Sequence, residues 1–321
     1  MDGEKTPNLR ISIVVPVYNE EQNLPMLFER LGAALAAFPH TYEVIMVDDG
    51  SKDGSYRKIV ELSRAGRPVK AIRFSRNFGQ TAALSAGIDA ARGEIIVTLD
   101  SDLENDPADI QALVKKMDEG YDVVSGWRKN RWRGAFITRK LPSRLANSLI
   151  SLISGVKLHD YGCTLKAYRA DLIKGLNLYG DMHRFVAAYA VWQGGIVAEI
   201  PVSYAPRIHG KSNYGLGRTF RVLLDLIVMK FMQKYFNRPM HFFGGWGFLS
   251  LAIGLSTGLA SVALKVMRLR DFVATPLPVF SALFIIVGLQ FLLFGVLSEI
   301  LMRTYYESQH RRPYVIKEVY N

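Results

Sequence analysis

The sequence predicts an α/β domain built on a mostly parallel sheet, followed by an interfacial helix and a hairpin of two membrane-spanning helices. Three observations predict this. Short β-branched apolar runs alternate with helical spacing through the first third of the chain. Acidic clusters stand at the ends of those runs. Two long uncharged stretches dominate the last third of the 321 residues. Strands alternating with helices imply right-handed crossovers, and ligands of such sheets sit beyond the carboxyl ends of the strands.

Residues 11–17 are an apolar run that closes on Pro16-Val17-Tyr18 and reads as a buried strand. Residues 19–37 have helical spacing and open on Asn19-Glu20-Glu21, good chemistry for a helix start. A second strand over 43–47 runs into Asp48-Asp49-Gly50-Ser51, and a helix follows over 55–64. A strand over 69–74, a helix over 81–91 and a strand over 94–99 complete the series, the last ending at Asp100-Ser101-Asp102.

Residues 242–264 and 277–298 carry no charge, and each is long enough to cross a bilayer. Two buried helices of a soluble protein fit less well, because uncharged runs of this length are rare in soluble cores. Arg218, Arg221, Lys230, Lys234 and Arg238 precede the first span, and Arg303, Arg311, Arg312 and Lys317 follow the second. The connecting loop offers only Lys265, Arg268 and Arg270. The basic excess therefore places both termini in the cytosol. Residues 218–238 mix bulky apolar and basic side chains, as an interfacial helix does and as a core-packed helix also can. The chain thus divides into an α/β domain over 1–217, a juxtamembrane amphipathic helix over 218–240, two spans within 241–302 and a cytoplasmic tail over 303–321.

The 40 Lys and Arg against 29 Asp and Glu give a net charge of +11. That favours an anionic partner, whether nucleic acid, anionic lipid or phosphorylated substrate. The single cysteine, Cys163, excludes an intrachain disulfide and a multi-cysteine zinc site, and agrees with a reducing compartment. Residues 1–10 are polar, without the apolar core of a signal peptide.

Asp100-Ser101-Asp102 is the sharpest local signal. Two carboxylates at a strand end suit a hard cation such as Mg²⁺, which shares oxygen ligands with substrate phosphates. A lone D-x-D is more often a solvated turn; its place after a strand raises its weight. Asp48-Asp49-Gly50-Ser51 also follows a strand, where a carboxylate can accept from a base N–H or a ribose hydroxyl, or simply cap a helix. Arg207 and Lys211 flank a glycine-containing loop, and Arg128, Lys129, Arg131, Arg133, Arg139, Lys140 and Arg144 form a second basic cluster. Arginine suits phosphate recognition; most of the second cluster reads as charge meeting anionic lipid, with Arg128 and Arg144 as exceptions.

Six segments together resemble the family 2 glycosyltransferases, in the branch acting on polyprenyl phosphates. They are Val14-Val15-Pro16-Val17-Tyr18-Asn19-Glu20, Val47-Asp48-Asp49-Gly50-Ser51-Lys52-Asp53, Arg76-Asn77-Phe78-Gly79-Gln80, Leu99-Asp100-Ser101-Asp102-Leu103-Glu104, Asp160-Tyr161-Gly162-Cys163 and His209-Gly210-Lys211-Ser212-Asn213-Tyr214. The resemblance spans nearly the whole chain. It implies a GT-A, Rossmann-like nucleotide-sugar domain in which Pro16, Tyr18 and Glu20 line the nucleotide pocket, Asp48 and Asp49 hold base and ribose, and Asn77 and Gly79 lie near the nucleotide. Asp100, Ser101 and Asp102 form the D-x-D, with Asp102 preferred over Asp100 as the direct ligand of Mg²⁺ or Mn²⁺. Arg128, Arg144, Arg207 and Lys211 grip donor diphosphate or acceptor phosphate, and Asp160 stands at the acceptor-side acidic position. The implied partners are a nucleotide-sugar, a polyprenyl phosphate and the lipids of the inner membrane, and not nucleic acid; a homo-oligomer is left open.

One position departs from the family. Glu104 stands where glutamine is usual, and a negative charge beside a diphosphate is costly unless it faces a metal, sugar hydroxyls or a cation. The implied reaction is inverting, and its acceptor phosphate is already anionic, so no strong general base is required. Two rivals remain in view. A processive polysaccharide synthase would carry a Q-x-x-R-W motif and more spans, neither of which the sequence contains. A non-catalytic membrane adaptor sits poorly with the intact Asp100 and Asp102.

Overall fold

The structure is a computed structural model. It describes residues 9–36, 38–64, 68–129, 131, 147–148, 150–152, 154–174, 176, 182–206, 231, 239–307 and 316–320. The chain forms two compact units, Met1–Asp225 with Arg312–Asn321, and Leu226–Arg311.

The first unit is an α/β domain. Its strands are β1 (Ile11–Val17), β2 (Tyr42–Asp48), β3 (Val69–Phe74), β4 (Ile95–Thr98), β5 (Val123–Trp127), β6 (Lys166–Arg169), β7 (Val197–Pro201) and β8 (Ile316–Tyr320). They lie in one sheet in the order β7-β5-β6-β4-β1-β2-β3-β8. The central strand β1 is buried at every residue, as its unbroken apolar run requires for a strand covered on both faces. It pairs in parallel with β2 and with β4. Helices α1 (Leu24–Ala36), α2 (Ser55–Arg64), α3 (Gln80–Ala90) and α4 (Ile110–Met117) supply the crossovers and cover the sheet. The close seat of α3 on β1 depends on Gly87, where a Cβ would lie 2.2 Å from Val14 Cγ1. Short helices α5 (Ala170–Lys174) and α6 (Val186–Trp192) follow β6.

Three sequence expectations need correction. The sheet is mixed rather than mostly parallel, because β6 runs antiparallel to both β4 and β5, and β8 antiparallel to β3. The strands responsible are short and partly polar, so their hydropathy carried no strand signal. The first helix starts at Leu24 and not at residue 19: Asn19 takes φ 56, and its turn belongs to the edge of the sheet. The segment 303–321 is not simply a tail, since a helix continues to Glu307 and residues 316–320 form β8 along the free edge of β3. An open sheet edge exposes unpaired N–H and C=O groups, and the C-terminal strand satisfies them there.

The second unit contains α7 (Pro239–Val266) and α8 (Leu277–Glu307). Both extend past the uncharged stretches read from the sequence, and both are long and apolar enough to cross a membrane. They approach closely where small residues face each other. A Cβ on Gly288 would lie 2.9 Å from Gly247 O, and one on Gly247 3.0 Å from Gly288 O. Ser250 Oγ donates to Phe284 O and Ser281 Oγ to Gly254 O across the pair. Small residues with hydroxyl bridges are the usual glue between helices in lipid. The outer faces leave Phe248, Leu255, Leu259, Leu283, Ile286 and Leu293 exposed, more apolar surface than a helix pair keeps in water. The interfacial helix expected over 218–240 falls almost entirely outside the described residues.

Candidate active site

Because β4, β1 and β2 are parallel neighbours, their carboxyl ends open on one edge. The three polar clusters of the sequence meet there. The chain leaves β1 toward β2 on one side and returns to β4 on the other, so the strand order switches at β1, the usual ligand position of such sheets.

Two loops close one wall. Asn19 N–H donates to Ser51 Oγ, and Lys52 N–H donates to Asn19 Oδ1. Glu20 N–H donates to Ser55 Oγ, and Glu20 accepts from the Asn23 amide. Gly50, at φ +67, permits the turn; a Cβ there would meet the backbone of Arg76 at 2.4 Å. Tyr18 stands exposed at the rim, while Pro16 lies within β1 with its carbonyl accepting from Ser101 Oγ. Asp48 and Asp49 are both buried and turned toward the protein. Asp48 accepts from Ser51 N–H and lies 3.5 Å from Arg73 Nε. Asp49 accepts from Phe78 N–H, Gly79 N–H and the Asn77 amide. Burial raises both carboxyl pKa values against the pull of these donors. Of the two carboxylates assigned to base and ribose, Asp49 therefore braces the loop that carries Asn77 and Gly79, while Asp48 holds its own turn at Ser51.

Beyond β4 the D-x-D is in place. Asp100 is half-buried, and its Oδ1 accepts from Gln80 Nε2 at 2.7 Å. Asp102 is buried, and its Oδ1 accepts from Glu104 N–H at 3.1 Å. Burial and then the adjacent Asp102 charge push the Asp100 carboxyl up to about 7. Two crowded carboxylates of this kind are a fit for a divalent cation, whose charge relieves their repulsion. Among the described residues no group of three or more His, Cys, Asp or Glu side chains could hold a metal. A cation here would therefore draw its remaining oxygens from substrate, as Mg²⁺ commonly does.

Comparison with known proteins decides the family. Residues 12–176 match the family described as Glycosyl transferase family 2. Over 99% of its length the chain is 43% identical to a dodecaprenyl-phosphate galacturonate synthase of Rhizobium johnstonii, covering 95% of that protein. The chain belongs to glycosyl transferase family 2. It is also 36% identical to an undecaprenyl-phosphate 4-deoxy-4-formamido-L-arabinose transferase of Klebsiella pneumoniae, over 98% of this chain and 94% of that one. Among solved structures, glucosyl-3-phosphoglycerate synthase from Mycobacterium tuberculosis superposes with a TM-score of 0.55 at 17% identity, over 70% of this chain and 79% of that one. That likeness establishes the GT-A fold. The chain is thus an enzyme, a glycosyltransferase, and not a non-catalytic adaptor, and its two exposed apolar helices make it a membrane protein.

Family membership gives the ion network past the D-x-D its interest. Arg128, only 3% exposed at its side chain, grips Asp160 through Nε at 2.8 Å and Nη2 at 3.1 Å. Its Nη1 donates to Glu104 Oε2 at 3.2 Å, and Arg131 Nη2 lies 3.6 Å from the same oxygen. The charge that looked anomalous at Glu104 therefore faces two cations. Arg128 holds protein carboxylates rather than standing free as a phosphate clamp; burial pushes the Asp160 carboxyl up, but the Arg128 charge and hydrogen bonds together with the Arg131 charge keep it below its usual range. Arg144, Arg207 and Lys211 lie outside the described residues.

Sequence reasoning missed the buried contacts of Thr81, His183 and Lys166. Thr81 Oγ1 is 2.7 Å from His183 Nδ1. Burial, then the Arg184 and Lys166 charges, holds the His183 imidazole down to about 3, so it is neutral. Lys166 is buried in β6 and donates to Tyr161 O at 3.3 Å. Nothing in the local sequence around His183 or Lys166 links either residue to the D-x-D. Burial depresses the Lys166 ammonium to about 8. Below pH 8 folded and unfolded chains both keep that proton, and the desolvation penalty is fully present. Between pH 8 and the unfolded value near 10.5 only the unfolded chain holds it, so this contribution to stability rises with pH. Lys166→Met should raise the thermal midpoint at pH 7, and its advantage should shrink from pH 8 to pH 10. A pH-independent difference in thermal-shift assays would contradict this.

Proposed function

We propose that this enzyme transfers a sugar from a nucleotide-sugar to a polyprenyl phosphate, with inversion at the anomeric carbon. The carrying observation is that relatedness to polyprenyl-phosphate enzymes runs over almost the whole chain, so it includes both the D-x-D edge and the membrane hairpin. An acceptor phosphate oxygen forms the new bond to the anomeric carbon as the bond to the nucleoside diphosphate breaks. The acceptor needs no strong base, which agrees with a His183 that is neutral and engaged by Thr81. Catalysis then rests on aligning two anions and stabilising the leaving group.

Asp102, with Asp100 beside it, would hold Mg²⁺ or Mn²⁺. When bound, the cation would offset charge on the leaving diphosphate. Tyr18, exposed at the rim, would meet the nucleotide, and Asp49 holds Asn77 and Gly79 against the same edge. Glu104, Arg128 and Asp160 hold the far wall in register. Arg207 and Lys211 remain assigned to the phosphates. The experiment is a screen of purified protein with radiolabelled nucleotide-sugars and a polyprenyl phosphate, starting with galacturonate and 4-deoxy-4-formamido-L-arabinose donors. Lipid-linked label and free nucleoside diphosphate are expected in equal amounts; label in long polysaccharide would favour a synthase.

The basic residues flanking the spans support a catalytic domain at the cytoplasmic face of the inner membrane. Asp271 lies in the connection between α7 and α8, and β8 returns the C-terminal segment to the catalytic sheet. The native Cys163 is buried. Cysteines introduced by Asp271→Cys and Asn321→Cys should accordingly label from opposite sides of sealed vesicles. Labelling of both from the outside rules out the hairpin topology.

A further inference from the structure

The turn that opens α3 is the feature whose role the reaction leaves unassigned. Gly79, its N-cap, has φ 97 and provides no side-chain cap. The turn is instead held from two sides. Asp49, at the end of β2, accepts from Phe78 N–H and Gly79 N–H. On the other side Thr81 is joined to His183, 102 residues later in the chain. Between these anchors, Gln80 donates its amide to Asp100 Oδ1.

A carboxylate that ligates a cation loses affinity when its rotamer is free, because binding must then restrict it; a fixed hydrogen bond to its second oxygen removes that restriction beforehand. Gln80 is itself a flexible side chain, and its reach to Asp100 depends on where the α3 backbone sits. Gly79 has no side chain to cap the helix; Asp49 holds the turn at its start, and the Thr81–His183 contact holds it from the far side. We propose that Gln80 and His183 are positioning residues of the D-x-D: Gln80 orients Asp100 directly, and His183 holds Gln80 in place through Thr81. This rests on the reading of Asp100 and Asp102 as the cation site.

The full-length protein in detergent, with UDP or GDP present, can be titrated with Mn²⁺ and the free ion followed by electron paramagnetic resonance. Sugar transfer against Mn²⁺ concentration gives a second readout. Gln80→Leu and Thr81→Val keep size while removing the hydrogen-bonding group. Each is expected to weaken Mn²⁺ binding and raise the half-activating concentration about tenfold, the lower end of what losing an outer partner of a metal ligand costs. Thr81→Ser keeps the hydroxyl and is expected to match wild type. Thr81→Val combined with His183→Phe is expected to be no worse than the weaker-binding single variant, because both remove one contact. Unchanged circular dichroism and thermal midpoint in Gln80→Leu separate a local effect from unfolding. Wild-type Mn²⁺ affinity in Gln80→Leu and Thr81→Val overturns the positioning role while the cation site stands. Wild-type protein that binds no Mn²⁺ with either nucleotide brings down the cation site, and the positioning role with it.

Discussion

Asp102→Asn should reduce sugar transfer by roughly a hundredfold or more, the scale of several kcal/mol of lost charge stabilisation, while leaving the protein folded. The structure explains why the fold survives. Asp102 Oδ1 accepts from Glu104 N–H, and the amide oxygen of asparagine can keep that bond. What is lost is the negative charge, and with it the hold on a divalent ion. Asp100 loses a neighbouring charge in the same change, so its carboxyl should fall from about 7 toward the ordinary carboxylate range. The measurement is turnover with saturating Mg²⁺ or Mn²⁺, alongside thermal stability. Wild-type turnover in excess chelator would falsify the cation assignment outright, whatever the variant does.

Arg128→Met should have the largest effect on stability. Arg128 is buried between Asp160 and Glu104, and its removal leaves two carboxylates facing each other with less counter-charge. Breaking a buried pair by removing one partner typically costs about 3–5 kcal/mol, and for a domain of this size that is a drop of roughly 10 °C in thermal midpoint. The pH dependence gives the argument its sign. In the wild type the Asp160 pKa is lowered, so its contribution is present above the unfolded value of 3.8 and is lost as pH falls through the folded value below it. In Arg128→Met the same carboxyl is expected above its unfolded value, so the variant recovers stability as pH falls from 7 toward 4. The gap between the two proteins should therefore narrow on acidification. The combination with Asp160→Asn should be less harmful than the sum of the two single changes, since the residues touch. A constant gap from pH 7 to pH 4 would show that the network carries no net electrostatic weight.

Glu104 shows how far a sequence could be pressed. Its charge beside the D-x-D demanded a metal, a sugar or a cation as partner, and that requirement was legible in the chain. Which partner it was could not be read, because Arg128 and Arg131 reach it only after β5 has entered the sheet. Asp48 and Asp49 show the opposite case. Their position at a strand end was read correctly, yet a strand-end carboxylate can face ligand or protein. Residues 77–79 engage Asp49, and Ser51 and Arg73 engage Asp48, so both face the protein.

By itself the sequence determined the strand–helix alternation from β1 to β4, the meeting of three polar clusters at strand ends, and the two long apolar helices. Each is a matter of hydropathy over a short window, and burial imprints that pattern locally. Only the tertiary structure decided the antiparallel half of the sheet, the return of residues 316–320 to the edge of β3, and the contacts of Arg128, Gln80 and His183. Those pairings join residues far apart in sequence. A hydrogen bond or ion pair is satisfied by whichever group strand order brings within reach, and no local pattern in the chain records that choice.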